Sequence, residues 1–366
     1  MQQSPLGTLS ARTFLRRHWQ KRPLLVRQAL PEFAAALGKS TLIRLSGRDD
    51  VESRLVIHRG GNWRLAHGPI GRAGVARLPR RDWTLLVQGV NLHVPAADRL
   101  LRRFDFLPQA RLDDVMASYA APGGGVGPHF DSYDVFLVQG AGRRIWRVSR
   151  KRPFLLEKDA PLKIIRNFEP DEEWLLEPGD LLYLPPGWGH DGVALGPCVT
   201  YSVGARAPRG AELAAAFLDF LQEKGFPDAE YQDPNLAFTR NSGFLSQGLI
   251  AFARKALGRI RWNGSDVENF LGTYLTTPKP QVVFRPPRRP LSPPAFARRL
   301  ARAAVVLDER TQMLYRGAWL YVNGERRRCP GRAYAALADA RRAARMRPGP
   351  LLYDWYRAGF LRLERA

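Results

Sequence analysis

The stretch GPHFDSYDVFLVQG, residues 127–140, places a histidine and an aspartate two positions apart and then continues into apolar sequence. Residues i and i+2 of a β-strand point to the same face, so we expect His129 and Asp131 to project side by side. Such a pair is either half of a metal site or two polar residues on a solvated strand. Because HxD is a short pattern, a third ligand is needed to decide between the two.

His190 is the best candidate for that third ligand among the six histidines of the chain. It ends the segment EPGDLLYLPPGWGH, in which a strand predicted at 180–184 is followed by a Pro-Pro-Gly turn. Two histidines and one carboxylate form the facial triad of non-heme Fe(II) oxygenases, which leaves coordination positions open for a cosubstrate and dioxygen. The sequence therefore predicts a metal site formed by His129, Asp131 and His190.

A 2-oxo acid cosubstrate also needs a cation for its distal carboxylate, and arginines follow the HxD stretch. The segment DVFLVQGAGRRIWRVS reads as a hairpin whose turn is formed by residues 140–142. If Arg144 pairs opposite Leu137, it shares the inward face with the candidate ligands, whereas Arg143 and Arg147 face solvent. A buried arginine binds a carboxylate as a bidentate fork, so Arg144 is the predicted cosubstrate cation.

Three regions differ in their sequence patterns. Residues 1–208 contain short apolar runs separated by turn residues, which indicates a β-sandwich or β-barrel. Residues 209–284 have helical spacing, from AELAAAFLDFLQEKG through VENFLGTYLTT, and end in a Pro-rich connector. Residues 285–366 carry 19 arginines against 6 acidic residues, and we predict helices flanking a two-strand segment, as in a winged-helix module.

The net charge is the unusual feature of the composition, with 57 basic and 34 acidic residues and a formal charge of +23. Such an excess favours polyanionic surroundings, although an arginine-rich genome is an alternative explanation. Cys198 and Cys329 form no CxxC pair, which suits a reducing compartment. The absence of a signal peptide and of long apolar runs predicts a cytoplasmic protein without a membrane partner.

Five segments together resemble the Jumonji-type ribosomal oxygenases, in particular the bacterial branch that hydroxylates an arginine of the large-subunit ribosomal protein L-sixteen. The segments are RHWQKRPLLVRQAL (17–30), LLVQGVN (85–91), APGGGVGPHFDSYDVFLVQGAGRRIWRV (121–148), EPGDLLYLPPGWGHDG (177–192) and YSVGARAP (201–208). Beyond residue 210 the resemblance is thinner and is carried by YVNGE (321–325).

The resemblance implies an α+β protein with a double-stranded β-helix (cupin/Jumonji) catalytic domain over residues 1–208. A helical dimerisation region (209–284) and a small C-terminal winged-helix domain (285–366) would follow, and the protein would be a homodimer. The implied cofactors are Fe(II), 2-oxoglutarate and dioxygen. The implied site residues are His129, Asp131 and His190 for the metal, Arg144, Ser118 and Thr200 for 2-oxoglutarate, and Asp114, Met116, Tyr133 and Ser202 for the substrate.

Strand parity agrees in part with this implied substrate pocket. In RLDDVMASYA, residues Asp114, Met116, Ser118 and Ala120 share one face of a predicted strand. Asp114 suits a guanidinium, and Met116 suits the aliphatic stem, although a core methionine and a loop carboxylate remain the alternative. Ala120 and Thr200 depart from the serine and asparagine that relatives commonly carry near the cosubstrate.

The leading prediction is thus an Fe(II)- and 2-oxoglutarate-dependent dioxygenase that hydroxylates an arginine of a large-subunit ribosomal protein. The enzymatic alternatives are a histidine hydroxylase or a lysine demethylase of the same superfamily. A non-catalytic nucleic-acid-binding protein with a vestigial barrel is the second class. An intact ligand triad weighs against that class, and the predicted C-terminal helices have little besides arginine for reading bases.

Overall fold

The computed structural model describes residues 4–34, 36–226 and 228–365. Contacts between residues divide the chain into two compact units. The first comprises Met1–Ala207, Pro278–Thr311 and Ala336–Ala366, and the second comprises Pro208–Thr277 and Gln312–Ala335. The Pro-rich connector thus begins a segment that belongs to the first unit again.

The strands up to residue 207 form two sheets. They are β1 (Leu24–Val26), β2 (Ser53–Arg59), β3 (Asn62–His67), β4 (Trp83–Val87), β5 (Leu112–Ala120), β6 (His129–Phe130), β7 (Asp134–Ala141), β8 (Arg144–Ser149), β9 (Glu172–Leu176), β10 (Leu181–Leu184), β11 (Gly189–Ala194) and β12 (Cys198–Ala205). The larger sheet has the order β1-β10-β7-β12-β5-β4-β2-β3, and the smaller has the order β6-β11-β8-β9. From β5 to β12 the chain passes repeatedly from one sheet to the other, with β8 and β9 as consecutive strands of the smaller sheet, as in a double-stranded β-helix.

Strand β7 shows why a continuous apolar run occupies the centre of this fold. Val135 and Leu137 belong to the cluster that includes Trp146 of β8, while Phe136 and Val138 belong to a second cluster with the helical N-terminal segments. A strand buried on both faces is apolar at every position, so it lacks the alternation of a half-solvated strand. The run DVFLVQG is therefore a central strand of the larger sheet.

The hairpin predicted for DVFLVQGAGRRIWRVS is wrong. Strand β7 pairs with β10 and β12, whereas β8 pairs with β9 and β11, so the chain crosses from one sheet to the other at this turn. Gly142 lies in this turn with a φ of +63°, and a Cβ atom there would lie 2.2 Å from the carbonyl oxygen of Pro197. Arg144 consequently lies opposite Ala194 and Leu176 rather than opposite Leu137.

The remaining elements are helices and the C-terminal strands. The helices are α1 (Ala11–Arg17), α2 (Lys39–Ser46), α3 (Arg72–Ala76), α4 (Pro95–Arg102), α5 (Gly210–Glu223), α6 (Gln247–Leu257), α7 (Gly264–Thr276), α8 (Pro293–Leu300), α9 (Arg332–Ala340) and α10 (Pro350–Ala358). The strands are β13 (Ala303–Leu307), β14 (Met313–Arg316), β15 (Trp319–Val322), β16 (Glu325–Arg328), β17 (Arg342–Ala344) and β18 (Leu361–Arg365). Across the described ranges, none of these helices combines the length and apolarity that crossing a membrane demands.

The second unit contains the three helices predicted after residue 209 and the sheet β14-β15-β16. Asn263 caps α7 with a capping box, in which Asp266 reaches back to the Asn263 backbone N–H. Helix α7 packs closely on β15, since a Cβ at Gly272 would clash with the ring of Tyr321. A side chain larger than glycine at this position would separate the helix from the sheet.

Three details of the C-terminal prediction are wrong. The predicted helix AFARRLARAAVVLD contains helix α8 and then strand β13, because two adjacent valines favour the extended backbone in a sheet with β17 and β18. The predicted helix AYAALADARRAA ends at Ala340, and its last residues form β17. The predicted two-strand segment contains three strands, since residues 325–328 add β16 beyond the turn after β15.

Candidate metal and cosubstrate site

Strand pairing brings the three predicted metal ligands together. Strands β6 and β11 are antiparallel neighbours with His190 directly opposite His129, and the two ring centroids are 4.2 Å apart. Asp131 follows the end of β6, and its Oδ2 lies 3.7 Å from His190 Nε2. One potential ligand atom from each of the three residues lies within 4.8 Å of the other two.

Backbone carbonyls fix the orientation of both imidazoles in the same way. His129 Nδ1 donates to the carbonyl oxygen of Gly127 at 2.9 Å, and His190 Nδ1 donates to that of Trp188 at 3.0 Å. A carbonyl oxygen only accepts, so each Nδ1 carries the proton and each Nε2 keeps a free lone pair. Metal-ligating histidines commonly donate their other ring N–H to a backbone carbonyl in this way.

Burial sets the protonation of these groups. Burial lowers the pKa of His190 well below its usual value, with the nearby His129 acting in the same direction. Burial raises the pKa of the Asp131 carboxyl, while His129 and Arg54 lower it. A neutral imidazole is the form that binds a metal, and a bound cation would relieve the cost of burying the carboxylate.

Arg144 is a buried cation in the same barrel. Its exposed fraction is 4%, and its Nη1 donates to Thr200 Oγ1 at 3.2 Å and to Ser118 Oγ at 3.4 Å. Burial lowers the pKa of Arg144. Its Nε is buried without a hydrogen-bond partner, and none of the described carboxylates forms an ion pair with it. A buried guanidinium of this kind fits the distal carboxylate of a 2-oxo acid, and the donor set beside it fits Fe(II).

Gln139 is a residue of this site that the sequence interpretation missed. It is fully buried, and its Oε1 accepts from Thr200 Oγ1 at 3.1 Å while its Nε2 donates to the carbonyl oxygens of Ala141 and Gly142. Thr200 therefore presents an oxygen lone pair to Arg144. The signal was the polar residue within the apolar run DVFLVQG.

Asp114 lies at the other end of the candidate site with partners of its own. It is buried, accepts two hydrogen bonds from Gln88 Nε2 at 2.9 and 3.0 Å, and lies 3.3 Å from Lys279 Nζ. Burial, together with the neighbouring Asp113, raises the pKa of Asp114, while Lys279 and Gln88 lower it. The structure thus brings a lysine of the Pro-rich connector to the residue predicted to bind a substrate guanidinium.

The other predicted substrate residues lie on β5, on β12 and just after Asp131. Met116 is half-buried on β5, and Ser202 of β12 lies opposite it. Tyr133 follows Asp131 and is 40% exposed. Burial and then the negative charges of Asp131 and Asp114 raise the pKa of Tyr133.

Arg54 of β2 is a second residue that the sequence interpretation missed. Its Nη2 lies 3.9 Å from the sulfur of Met116, and its charge lowers the pKa of both Asp131 and Tyr133. It is half-buried on a strand remote in sequence from the HxD stretch. The signal was an arginine within the apolar run SRLVIH. A strand pattern alone does not show which face of the sheet the side chain of this arginine lies on.

Two protein families match the chain, a JmjC domain over residues 99–213 and a ROXA-like winged helix over residues 259–362. The protein belongs to the JmjC-domain ribosomal oxygenases, which confirms the predicted double-stranded β-helix and C-terminal winged helix.

Among its relatives, Escherichia coli K12 ribosomal protein uL16 3-hydroxylase is 36% identical over 343 residues, which are 91% of this chain and 89% of that protein. A probable ribosomal oxygenase of Haemophilus influenzae Rd is 39% identical over 228 residues, which are 61% of this chain and 54% of that protein. The X-ray structure of E. coli YcfD superposes with a TM-score of 0.82 at 33% identity, covering 98% of this chain and 99% of that one. The structure of E. coli YcfD in complex with cobalt and 2-oxoglutarate has a TM-score of 0.81 at 33% identity, with coverage of 98% and 99%.

Proposed function

We propose that this protein is an Fe(II)- and 2-oxoglutarate-dependent hydroxylase that modifies an arginine side chain of the large-subunit ribosomal protein L-sixteen (uL16). The observation that carries the proposal is the buried Arg144 guanidinium, which has no carboxylate partner among the described residues and lies in the same barrel as the cluster of His129, Asp131 and His190. The names of the E. coli relatives, one a uL16 3-hydroxylase and one a complex with cobalt and 2-oxoglutarate, support it.

The chain's own residues would hold the reactants in place. His129, Asp131 and His190 would bind the metal on one face, and Arg144 with Ser118 and Thr200 would bind the distal carboxylate of 2-oxoglutarate. Bound Fe(II), 2-oxoglutarate and dioxygen supply the oxidation that inserts one oxygen atom into a carbon–hydrogen bond and yields succinate and carbon dioxide. The protein's contribution is orientation, since the reacting groups are brought together on rigid strands.

The substrate end favours a cationic side chain. Asp114 would bind the guanidinium, Met116 and Tyr133 would contact its aliphatic stem, and Ser202 would line the pocket beside them. A buried carboxylate binds a cation more strongly than a neutral imidazole, which favours arginine over the histidine hydroxylase alternative. A lysine demethylase would also take a cation, but an ammonium cannot form the bidentate fork that a carboxylate offers to guanidinium.

Mass spectrometry of L-sixteen tests the proposal. The substrate is incubated with the protein, Fe(II) and 2-oxoglutarate, beside a His129→Ala variant. We expect one additional oxygen on an arginine with the native protein and none with the variant. Consumption of 2-oxoglutarate without a modified L-sixteen would reject the substrate, and a gain on histidine or a loss of methyl groups would identify the alternative reactions. Neither modification nor consumption would favour a non-catalytic binding protein.

We also propose that the second unit contacts ribosomal RNA through strand β16. Arg326, Arg327 and Arg328 are exposed on this edge strand, and Arg326 lies 4.2 Å from the ring centroid of the partly exposed Trp319. Arginines beside an exposed aromatic ring are typical of backbone binding combined with base stacking. Replacing the three arginines with alanine should weaken RNA binding and reduce its salt dependence, whereas Arg59→Ala on β2 should not.

A homodimer through the helical region is proposed on the basis of its exposed apolar side chains. Helix α6 has no buried residue among those described, and Leu249 and Leu257 are 40% and 68% exposed on it. An apolar helix face of this kind is typical of an interface. Light scattering should show a smaller mass for Leu257→Asp, while Leu195→Asp, at an exposed leucine of the first unit, should leave the mass unchanged.

The three-domain division and the cytoplasmic location also remain proposals. The end of the JmjC match at residue 213 supports a boundary near residue 208, and the winged-helix match begins at residue 259, ahead of the boundary proposed at 284/285. A cytoplasmic location follows from the proposed substrate, since bacterial ribosomes assemble there.

A further inference from the structure

The ammonium of a lysine in the Pro-rich connector is paired with Asp114, the carboxylate proposed to bind the substrate. Lys279 Nζ lies 3.3 Å from Asp114 Oδ2 and 3.4 Å from Asp113 Oδ1, although 165 residues separate it from Asp114. Its side chain is 39% exposed, so it lies at the border between solvent and the interior. Pro278 and Pro280 flank it, and the restricted backbone beside proline presents this lysine with little conformational freedom.

The hydrogen bonds of Asp114 leave little room for a further cation. A carboxylate has about four lone-pair directions, and Gln88 and Lys279 together already use three. A guanidinium that binds both oxygens of Asp114 needs two of them. One of the existing donors therefore has to leave. Lys279 is the donor whose departure also removes a like charge from beside the guanidinium, and it can remain paired with Asp113 as it moves away.

We propose that Lys279 is a specificity-determining residue, a tethered cation that occupies Asp114 in the free protein and is displaced by the guanidinium of the substrate arginine. The inference deepens the proposed function and rests on it. A guanidinium gains a bidentate contact by the exchange, whereas a substrate lysine would replace one ammonium with another and gain nothing. A neutral histidine side chain would lose the charge interaction altogether. Lys279 thereby sharpens the preference for arginine at the same carboxylate.

The charges around this site offer a structural alternative that makes the opposite prediction. Asp113 and Asp114 are adjacent carboxylates, and Lys279 also serves as their counter-ion. If that were its entire role, removal of the lysine would disturb Asp114 and weaken substrate binding. If Lys279 competes with the substrate, its removal strengthens binding.

The experiment compares steady-state kinetics of an L-sixteen fragment with native protein, Lys279→Met, Lys279→Arg and the control Lys158→Met, whose lysine is exposed. Methionine keeps the apolar stem without the charge. We expect KM for the fragment to fall about three- to tenfold in Lys279→Met with kcat unchanged, given the partial exposure of the pair. Lys279→Arg, whose guanidinium can itself form the bidentate contact with Asp114, should raise KM, and Lys158→Met should keep the native KM. An unchanged or raised KM in Lys279→Met overturns the proposal.

Amine labelling separates failure of this inference from failure of the proposed function. The rate at which an acylating reagent modifies Lys279 is measured with an arginine-containing peptide and with the same peptide carrying citrulline. Displacement predicts that the arginine peptide accelerates labelling several-fold and that the citrulline peptide does not. If L-sixteen is not hydroxylated but labelling still responds to arginine, the proposed function fails and the inference about Lys279 survives. Labelling that does not respond to saturating arginine peptide overturns the inference.

Discussion

The two ends of the candidate site are built in different ways. At the metal end, strand register sets His129 opposite His190, backbone carbonyls orient both rings, and Arg144 is buried against hydroxyl groups. At the substrate end, Asp114 depends on Lys279, which comes from a connector and is partly exposed. The difference suggests that the chemistry is held by the rigid barrel, while the selection of the substrate depends on side chains that can exchange partners.

Loss of Arg144 should have the largest effect, because it removes the buried charge that the cosubstrate would pair with. For Arg144→Met we expect the affinity for 2-oxoglutarate to fall about 30- to 3,000-fold, measured by calorimetry with Mn(II) in place of Fe(II). Arg143→Met is the matched control, since the neighbouring Arg143 is exposed. Equal affinities in the two variants would show that the metal end does not bind the cosubstrate through Arg144.

Asp114→Asn should affect the substrate end alone. It removes the charge but keeps the size of the side chain, so kcat/KM for the L-sixteen fragment should fall about 10- to 100-fold. The 2-oxoglutarate dissociation constant should stay at its native value. A comparable loss of cosubstrate affinity would contradict the separation of the two ends.

The pH dependence of KM is a further test of the substrate end as distinct from the metal end. Burial and the adjacent Asp113 raise the pKa of Asp114, with Lys279 and Gln88 opposing them and Tyr133 also facing the group. As the pH falls through this raised pKa, Asp114 becomes neutral and loses its attraction for a guanidinium. As the pH is lowered, KM should therefore begin to rise at a higher pH than it would if Asp114 titrated as an ordinary aspartate. The pH profile of KM for Asp114→Asn should lack this inflection. Identical profiles for the variant and the native protein would refute the assignment of the inflection to Asp114.

Loss of a hydrogen bond to Asp134 should have the smallest effect on activity and should instead lower stability. Asp134, fully buried at the start of β7, accepts hydrogen bonds from Tyr183 Oη at 2.5 Å and from Gln20 Nε2 at 2.9 Å. Tyr183→Phe should lower the free energy of unfolding by about 1–3 kcal/mol, because it leaves the buried carboxylate with fewer donors. Urea unfolding measures this difference, and an unchanged free energy of unfolding would show that the bond is not stabilising.

The residues predicted for the metal end have local signals in the sequence, whereas the contacts at the substrate end do not. The HxD spacing joins His129 and Asp131 and a Pro-Pro-Gly turn precedes His190, although Asp131 follows the end of β6 instead of lying on it. The crossover at Gly142 was misread because an apolar strand followed by a glycine turn looks the same whether the chain pairs back or changes sheet. Lys279 and Arg54 are brought to the site by tertiary structure, which no local pattern shows.

A crystal structure of the protein with Mn(II) and 2-oxoglutarate would show whether the metal end binds both. We expect a metal bonded to His129 Nε2, His190 Nε2 and the Asp131 carboxylate, with the distal carboxylate of 2-oxoglutarate paired with Arg144. A metal bound elsewhere, or a cosubstrate carboxylate that does not contact Arg144, would contradict it.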